Sequence, residues 1–320
     1  MKVMRAEGST GAQMLDTAGA LVLRERGPLL RWGMVVSCLL VAGFILIFFV
    51  VAEQRNTQHR ALQMAGNLTR DVDQFFEAAI TTLQALAKST ALATEDFASL
   101  YEEARQARGD ADVVIVLLAL NGKQLINTRV PWGTPLPQHG VIHALEAIKK
   151  TGRPQVTNVF IGPITQQPAF GVGVPIFKDG ELTYVLGFSP TIGRFLTNLT
   201  KHALPTEWSA AVLDRNDVVV ARSGTSGVVA KGPVFAATAQ QRNGKTEGVF
   251  VATDLQDRTV LVAHVRSELS GWTISVWGPR SAIGTPFWRS WQLFAMLGAT
   301  LLALILLFAP APWRRDARGS

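Results

Sequence analysis

The residues of this chain that could do chemistry are few, and their spacing decides against most of it. His139 and His143 stand four apart, which on a helix puts two imidazoles on one face, the start of a metal site. Glu146 follows three residues later as the nearest third ligand, without an HExxH pattern or a cysteine partner. The pair therefore reads as solvated surface histidine, and no metal and no cofactor is expected. Ser223-Gly224 and Ser226-Gly227 lack the strand, elbow and helix that expose a hydrolase nucleophile, and read as loop. Gly171-Val172-Gly173 has no following helix to receive a phosphate and reads as a strand of small residues. No catalytic residue and no enzymatic activity is expected.

The elements that must position any site are framed by two apolar runs of 20 residues, Gly33–Ala52 and Ser290–Ala309. That length spans a bilayer core. Lys2, Arg5, Arg24, Arg26 and Arg31 precede the first run, and Arg314, Arg315 and Arg318 follow the second. Flanking Lys and Arg stay on the cytoplasmic side. The expected layout is a cytoplasmic segment 1–32, a first transmembrane helix 33–52, an exported region 53–289, a second transmembrane helix 290–309 and a cytoplasmic tail 310–320. Both termini are then cytoplasmic, and the lipid bilayer is a partner. The formal charge of +7 does not point to nucleic acid, because residues 53–288 hold 22 basic and 20 acidic side chains and most of the excess lies at the membrane flanks. The single cysteine, Cys38, lies inside the first run, so the exported region has no disulfide and must be held by its own core. All five histidines fall in the exported region, which excludes a cytoplasmic phosphoacceptor histidine. The tail leaves no room for an output domain, so a separate cytoplasmic signalling protein is the expected receiver.

Within the exported region, Leu68, Val72, Phe75, Ala79, Leu83 and Leu86 recur at spacings of three and four, which predicts a helix over Glu53–Lys88. Its stripe packs on its own domain, and a homodimer seam is the other use of such a face. A second helix is expected over Thr94–Arg108. A strand from Asp112 to Leu120 then turns at Asn121-Gly122, read as a type I′ hairpin, into a return strand ending at Val130. After a Pro/Gly loop come a helix over His139–Thr151 and strands at Gln155–Ile161, Pro168–Phe177 and Leu182–Ser189, the last two joined by the turn Lys178-Asp179-Gly180-Glu181. A helical stretch over Pro190–His202 follows, and the scheme restarts: hairpin Ser209–Ser223 around Arg215-Asn216-Asp217, helix Val234–Gln241, strands Gly248–Thr253, Thr259–Ser267 and Trp272–Gly278. LALNGKQLINTR (118–129) aligns with VLDRNDVVVARS (212–223), and FGVGVPIFKDGELTYVLGFS (170–189) with VLVAHVRSELSGWTISVWGP (260–279), at offsets of about 94 and 90. An internal repeat of this kind implies two stacked modules of like topology, a first at about 112–190 and a second at about 205–285.

This order, with the phrases LLALNGKQLINTRVPWGTPLP, VLDRNDVVVARS and LSGWTISVWGP, resembles the double Cache (PAS-like, periplasmic) sensor domain of bacterial transmembrane sensor histidine kinases. The resemblance covers roughly residues 53–285. It implies an α+β fold: two tandem PAS-like modules with antiparallel sheets on a long N-terminal helix, flanked by two transmembrane helices in a bacterial inner membrane, with the central domain periplasmic. It implies a sensor that binds a small ligand and passes a signal across the membrane. The alternative is a periplasmic protein–protein interaction module that regulates a partner receptor without a ligand. In this family the membrane-distal module holds the ligand, which nominates Asn127, Arg129, Trp132, Phe160, Phe170 and Tyr184. A guanidinium beside aromatics suits a small carboxylate. Arg129 and Trp132 stand one residue further apart than in the family's amino-acid signature.

Overall fold

The computed structural model describes residues 9–109, 112–137, 142–199, 204–205, 207–223, 241–242, 244–253 and 257–279, with three positions beyond 290. The expected helix Val234–Gln241, the second apolar run and the C-terminal tail lie outside the described residues, apart from Gln241 and those three positions. The chain divides into two compact units, Met1–Asn56 and Thr57–Ser320.

In the first unit the only described element is the beginning of helix α1, which runs Ser9–Leu86. Among the described residues no helix is long and apolar enough to cross a membrane. Seven of the side chains in Gly33–Ala52 lie outside the described set, and of the others all but Gly43 are exposed.

In the second unit α1 carries a stripe that is buried at Ala61, Ala65, Leu68, Val72, Phe76, Ala79, Leu83 and Leu86. The spacing of three and four puts these on one face, and burying each large one contributes about 1.5–3 kcal/mol. Phe76, not Phe75, sits at the centre of the stripe; Phe75 is half-buried beside it. Two adjacent helical positions differ by only about 100°, so periodicity alone does not separate them. The outward side chains from Gln58 to Gln84 are mostly polar.

Helices α2 (Thr90–Ala93) and α3 (Phe97–Arg108) follow, the latter capped by Asp96, whose side chain accepts from Ser99 N. The first sheet is built from β1 (Val113–Ala119), β2 (Gln124–Asn127), β3 (Gln155–Val156), β6 (Val172–Lys178) and β7 (Glu181–Pro190), ordered β2-β1-β7-β6-β3 and antiparallel throughout. Helix α4 (Ile142–Thr151) lies on one face of it, and β4 (Phe160–Ile161) pairs with β5 (Pro168–Ala169) beside it. After α5 (Ile192–Leu199) the second sheet is built from β8 (Ser209–Leu213), β9 (Val219–Arg222), β10 (Glu247–Thr253), β11 (Thr259–Arg266) and β12 (Thr273–Pro279), ordered β10-β11-β12-β8-β9. Read from the hairpin, both sheets run second, first, last, fourth, third strand, so the repeat is one of topology. Val116 pairs Asn127 as Ala211 pairs Arg222, a separation of 95 residues rather than 94. Each hairpin holds a bulge, at Leu125 and Val220, where two residues oppose one.

The turns correct one expectation. Gly122 (φ 84°) and Asp217 (φ 61°) are left-handed but Asn121 and Asn216 are not, so each hairpin closes through a three-residue loop rather than type I′. The two-residue turn with both positions left-handed is Asp179-Gly180 (φ 52° and 86°).

Two apolar clusters share α1. Ala61 to Ala79 pack with the inner face of the second sheet, around Val212, Leu261, Ile274 and Val276, and Leu83 and Leu86 pack with the first sheet and α3.

Candidate ligand-binding site

Strand alternation sorts the first sheet into two faces. On β7, Tyr184, Leu186 and Phe188 turn towards α1 and α3, while Val185, Gly187 and Ser189 turn towards α4. On the α4 face one transverse row runs Asn127, Val116, Gly187, Gly173, Gln155 across five strands. A Cβ at Gly173 would stand 2.7 Å from Ile148 Cδ1, and one at Gly187 2.8 Å from Val116 Cγ2. The glycines therefore leave a floor on which Ile148 and Val116 rest, with a residual cavity of about 50 Å³ between sheet, α4 and the segment 157–160. Its apolar wall includes Leu118, Leu145, Val185 and Phe160; Thr157 and Ser189 border it, and it exposes almost no polar surface. Thr157 Oγ1 accepts from Gly171 N (2.9 Å), and Ser189 Oγ donates to Phe170 O (2.7 Å). Among the described residues no charged side chain lines it.

The structure does not bring the six nominated residues together. Phe160 lines the cavity. Asn127 shares its face at the sheet edge, buried, where Nδ2 donates to Gln124 Oε1 (2.8 Å) and Oδ1 accepts from Arg129 N (3.0 Å). The Arg129 side chain is exposed. Trp132 is 49% exposed and leans on Tyr101 of α3, ring centroids 5.7 Å apart. Phe170 is fully buried in the core between the modules, against Phe76, Phe195 and Trp272. Tyr184 lies on the opposite face, edge-on to Phe97, and its burial, then the nearby Glu95 carboxylate, push its phenol up. Glu95 itself bonds Lys178 Nζ at 2.7 Å, which lowers its pKa.

The second sheet repeats the row with other side chains: Arg222, Ala211, Ser275, His264, Gly248. Where the first module keeps Gly187 and Gly173, the second places Ser275 and His264, both buried. Among the described residues neither nitrogen of His264 has a hydrogen-bond partner; the Lys245 backbone is near the ring but outside bonding geometry. Burial, then the Arg242 charge, holds the imidazole below its usual value. Arg242 is ion-paired to Asp217, and the Arg222 guanidinium lies 5.2 Å over the Trp277 ring. No group of three potential metal ligands comes together among the described residues; His139 and the His143 side chain fall outside them.

Sequence reasoning missed what joins the modules. Asp214, 1% exposed, accepts from Val159 N (2.9 Å), Asn216 N (2.8 Å) and Val218 N (2.9 Å). Arg215 donates to Val156 O (2.6 Å) and Ser270 O (2.7 Å), and its burial lowers its pKa. Trp272 Nε1 donates to Thr157 O (3.2 Å). The wall segment of the cavity is thus fastened to the first turn and last hairpin of the second module. The one available signal was Asp-Arg at a turn, which reads as ordinary turn chemistry.

No protein-family model and no curated protein sequence matches the chain. Solved structures do. The ligand-binding domain of the Campylobacter jejuni chemoreceptor Tlp3, in complex with L-valine, is 14% identical with a TM-score of 0.54, over 73% of this chain and 97% of that one. The ligand-binding domain of the Pseudomonas fluorescens chemoreceptor CtaA, with L-isoleucine, is 12% identical with a TM-score of 0.57, over 72% and 96%. That of the Pseudomonas aeruginosa chemoreceptor PctB, with L-Gln, is 14% identical with a TM-score of 0.55, over 71% and 92%. Identity so low with near-complete coverage of each neighbour is a likeness of architecture, and it agrees with the repeated sheet order: this chain carries the double Cache fold of bacterial sensory domains.

Proposed function

We propose that this chain is the input portion of a membrane-anchored, non-enzymatic receptor whose first module takes a small molecule on the outer side of a bacterial inner membrane. The observation that carries the reading is the shared double Cache fold with a cavity on the α4 face of its first sheet. Anchoring is supported by Val36, Leu40, Val41, Phe44, Ile47 and Phe48, large apolar side chains exposed around α1 within a sequence of bilayer length. Both termini then lie in the cytoplasm, as the flanking Lys and Arg require.

The signal route follows the joints between modules. Thr157 touches the cavity and its carbonyl accepts from Trp272, which immediately precedes β12, and β12 leads towards the second apolar run. A ligand that favours one arrangement of the 156–160 segment biases β12 by its affinity difference between the two states and no more. The outcome is read on the cytoplasmic side. A homodimer through α1 would meet a mostly polar outer face, since the apolar stripe is spent within the chain.

One observation favours the second reading, a ligand-independent interaction module: about 50 Å³ is well below the roughly 300 Å³ at which ordinary ligand pockets begin. Topology is tested by tagging both ends and treating spheroplasts with protease. The expected result is cleavage within 53–289 with both tags protected; loss of either tag, or release of the chain by alkaline carbonate, overturns the anchored reading.

A further inference from the structure

We infer that the second module carries an input of its own, the proton, taken up where the β11–β12 turn rests on α1: acid strengthens the hold of Asp73 on that turn through Ser267. The route of this signal to the membrane rests on the anchored reading above; the latch itself does not.

The contact is built from few atoms. Asp73 stands half-buried on α1, and Ser267 Oγ, itself buried, donates to its Oδ1 at 2.5 Å. The same Oγ accepts from Ser270 N at 2.9 Å. The turn closes through Gly271 N on Ser267 O (3.0 Å) and Ser267 N on Trp272 O (2.8 Å). It is also fastened to the first module, by Arg215, which donates to both Ser270 O and Val156 O, and by Trp272, which donates to Thr157 O.

The charges around Asp73 set the sign of its response. Glu77, one turn further along α1, and Glu268, next to Ser267, are exposed and both act on it with like charge. Of the flanking cations, Arg70 bonds Asn67, Arg266 donates to Gly271 O, and Arg215 serves the joint between the modules. Burial raises the Asp73 carboxyl, the bond from Ser267 opposes that, and the Glu77 and Glu268 charges add to the rise. The fold therefore takes up this proton before the unfolded chain does. The contribution to stability grows as pH falls through the folded value, and is complete near the ordinary value of about 4. A neutral Asp73 keeps an oxygen to accept from Ser267 and loses its repulsion from Glu77 and Glu268. Helix α1 continues from the first apolar run and β12 leads towards the second. A firmer contact between α1 and the hairpin then biases one against the other, by the free energy of proton uptake and no more.

The test is thermal unfolding of the full chain in detergent from about pH 7.5 to 4.5, wild type beside Asp73→Asn, with hydrogen exchange of the 267–272 amides corrected for the intrinsic rate. His264 titrates with the opposite sign in both chains, so the difference in midpoint removes it. The expected result is a wild-type midpoint that gains on the variant as pH falls, with slower exchange in the wild-type turn and level exchange in the variant's. Ser267→Ala removes the bond that opposes the rise and moves the gain to higher pH. Glu77→Gln with Glu268→Gln moves it to lower pH, and takes the place of Asp73→Asn should that variant fail to fold. A midpoint difference that stays constant over the range overturns the inference, as does, in the substitute pair, a gain that does not move. A constant difference with both tags protected in spheroplasts overturns the latch alone; a lost tag with a gain that follows Asp73 overturns the anchored reading alone.

Discussion

Asp214→Asn is the substitution that reads the joint between the modules most cleanly. The side chain keeps its shape, so no cavity opens and the whole effect is one of hydrogen bonding. Three backbone amides, of Val159, Asn216 and Val218, converge on the Asp214 carboxylate within 2.9 Å. An amide side chain has one acceptor oxygen. If that oxygen stays on the Asn216 and Val218 amides, the NH2 group faces Val159 N–H, donor against donor in a buried site. Bonds to a charged acceptor contribute about 1.5–3 kcal/mol each, and an orphaned buried donor costs about 1–3 kcal/mol, so the expected loss is about 2–4 kcal/mol. For a unit of this size each kcal/mol lowers the midpoint by about 2–4 °C, which gives a fall on the order of 5–15 °C. Thermal unfolding of the full chain, followed by tryptophan fluorescence, measures it. Glu146→Gln serves as the control, because the Glu146 to Lys149 pair is exposed and contributes at most about 1 kcal/mol. A fall for Asp214→Asn no larger than that control would refute the idea that the carboxylate holds the 156–160 segment.

Three further outcomes follow from the same geometry. With burial and then Arg242 depressing His264, and Lys245 and Glu247 as its other charged neighbours, the folded imidazole stays neutral while the unfolded chain protonates near its ordinary value of about 6.5. Stability is therefore full above that pH and falls below it until the folded group also titrates; His264→Leu should lose less midpoint than the wild type between pH 7.5 and 5.5, and an equal loss would contradict the assignment. In Gly171→Ala a Cβ would stand 2.5 Å from Phe188 O, a backbone atom that cannot step aside, so the chain should lose about 1–3 kcal/mol in chemical denaturation; a neutral result would place the strands further apart than described. Arg129→Ala, at an exposed side chain, should change the melting midpoint by less than about 2 °C and leave any ligand-induced rise intact, whereas loss of that rise would restore the carboxylate site at the sheet edge.

Much of the fold was legible because strands and helices announce themselves by period. The strands of both hairpins, β7, β10 to β12, and the helices α3, α4 and α5 lie within a few residues of their expected bounds. By contrast α1 begins at Ser9 rather than Glu53, α2 was not expected, and the strands expected at Gln155–Ile161 and Pro168–Phe177 are each broken in two. The repeat was visible in turn position alone. What escaped was one residue wide. The bulges at Leu125 and Val220 shift register without changing composition, so the aligned offset came out at 94 where pairing gives 95. Asn121-Gly122 has the composition of a two-residue turn and sits in a three-residue one. The site was harder, for a physical reason: alternation says that Tyr184 and Val185 face opposite ways, but only the packing of α1 and α4 says which way holds the cavity. Phe170 looked like an aromatic wall and is instead the keystone between Phe76 and Trp272. The glycines 171, 173 and 187 carried the signal for the cavity, since glycine within a strand marks a place where something approaches the backbone closely.

Helix α1 gives its residues from Ala61 to Ala79 to one sheet and Leu83 and Leu86 to the other, with Ile80 bordering both clusters. The two modules therefore have no separate spines. A cut in the stretch between α5 and β8, where the repeat invites one, would leave the C-terminal piece without the helix that closes its core and the N-terminal piece with a bare apolar flank along about five turns. The duplicated halves are a single cooperative folding unit, to be expressed, crystallised or grafted onto another output only with the helix from Thr57 onward and the last strand together.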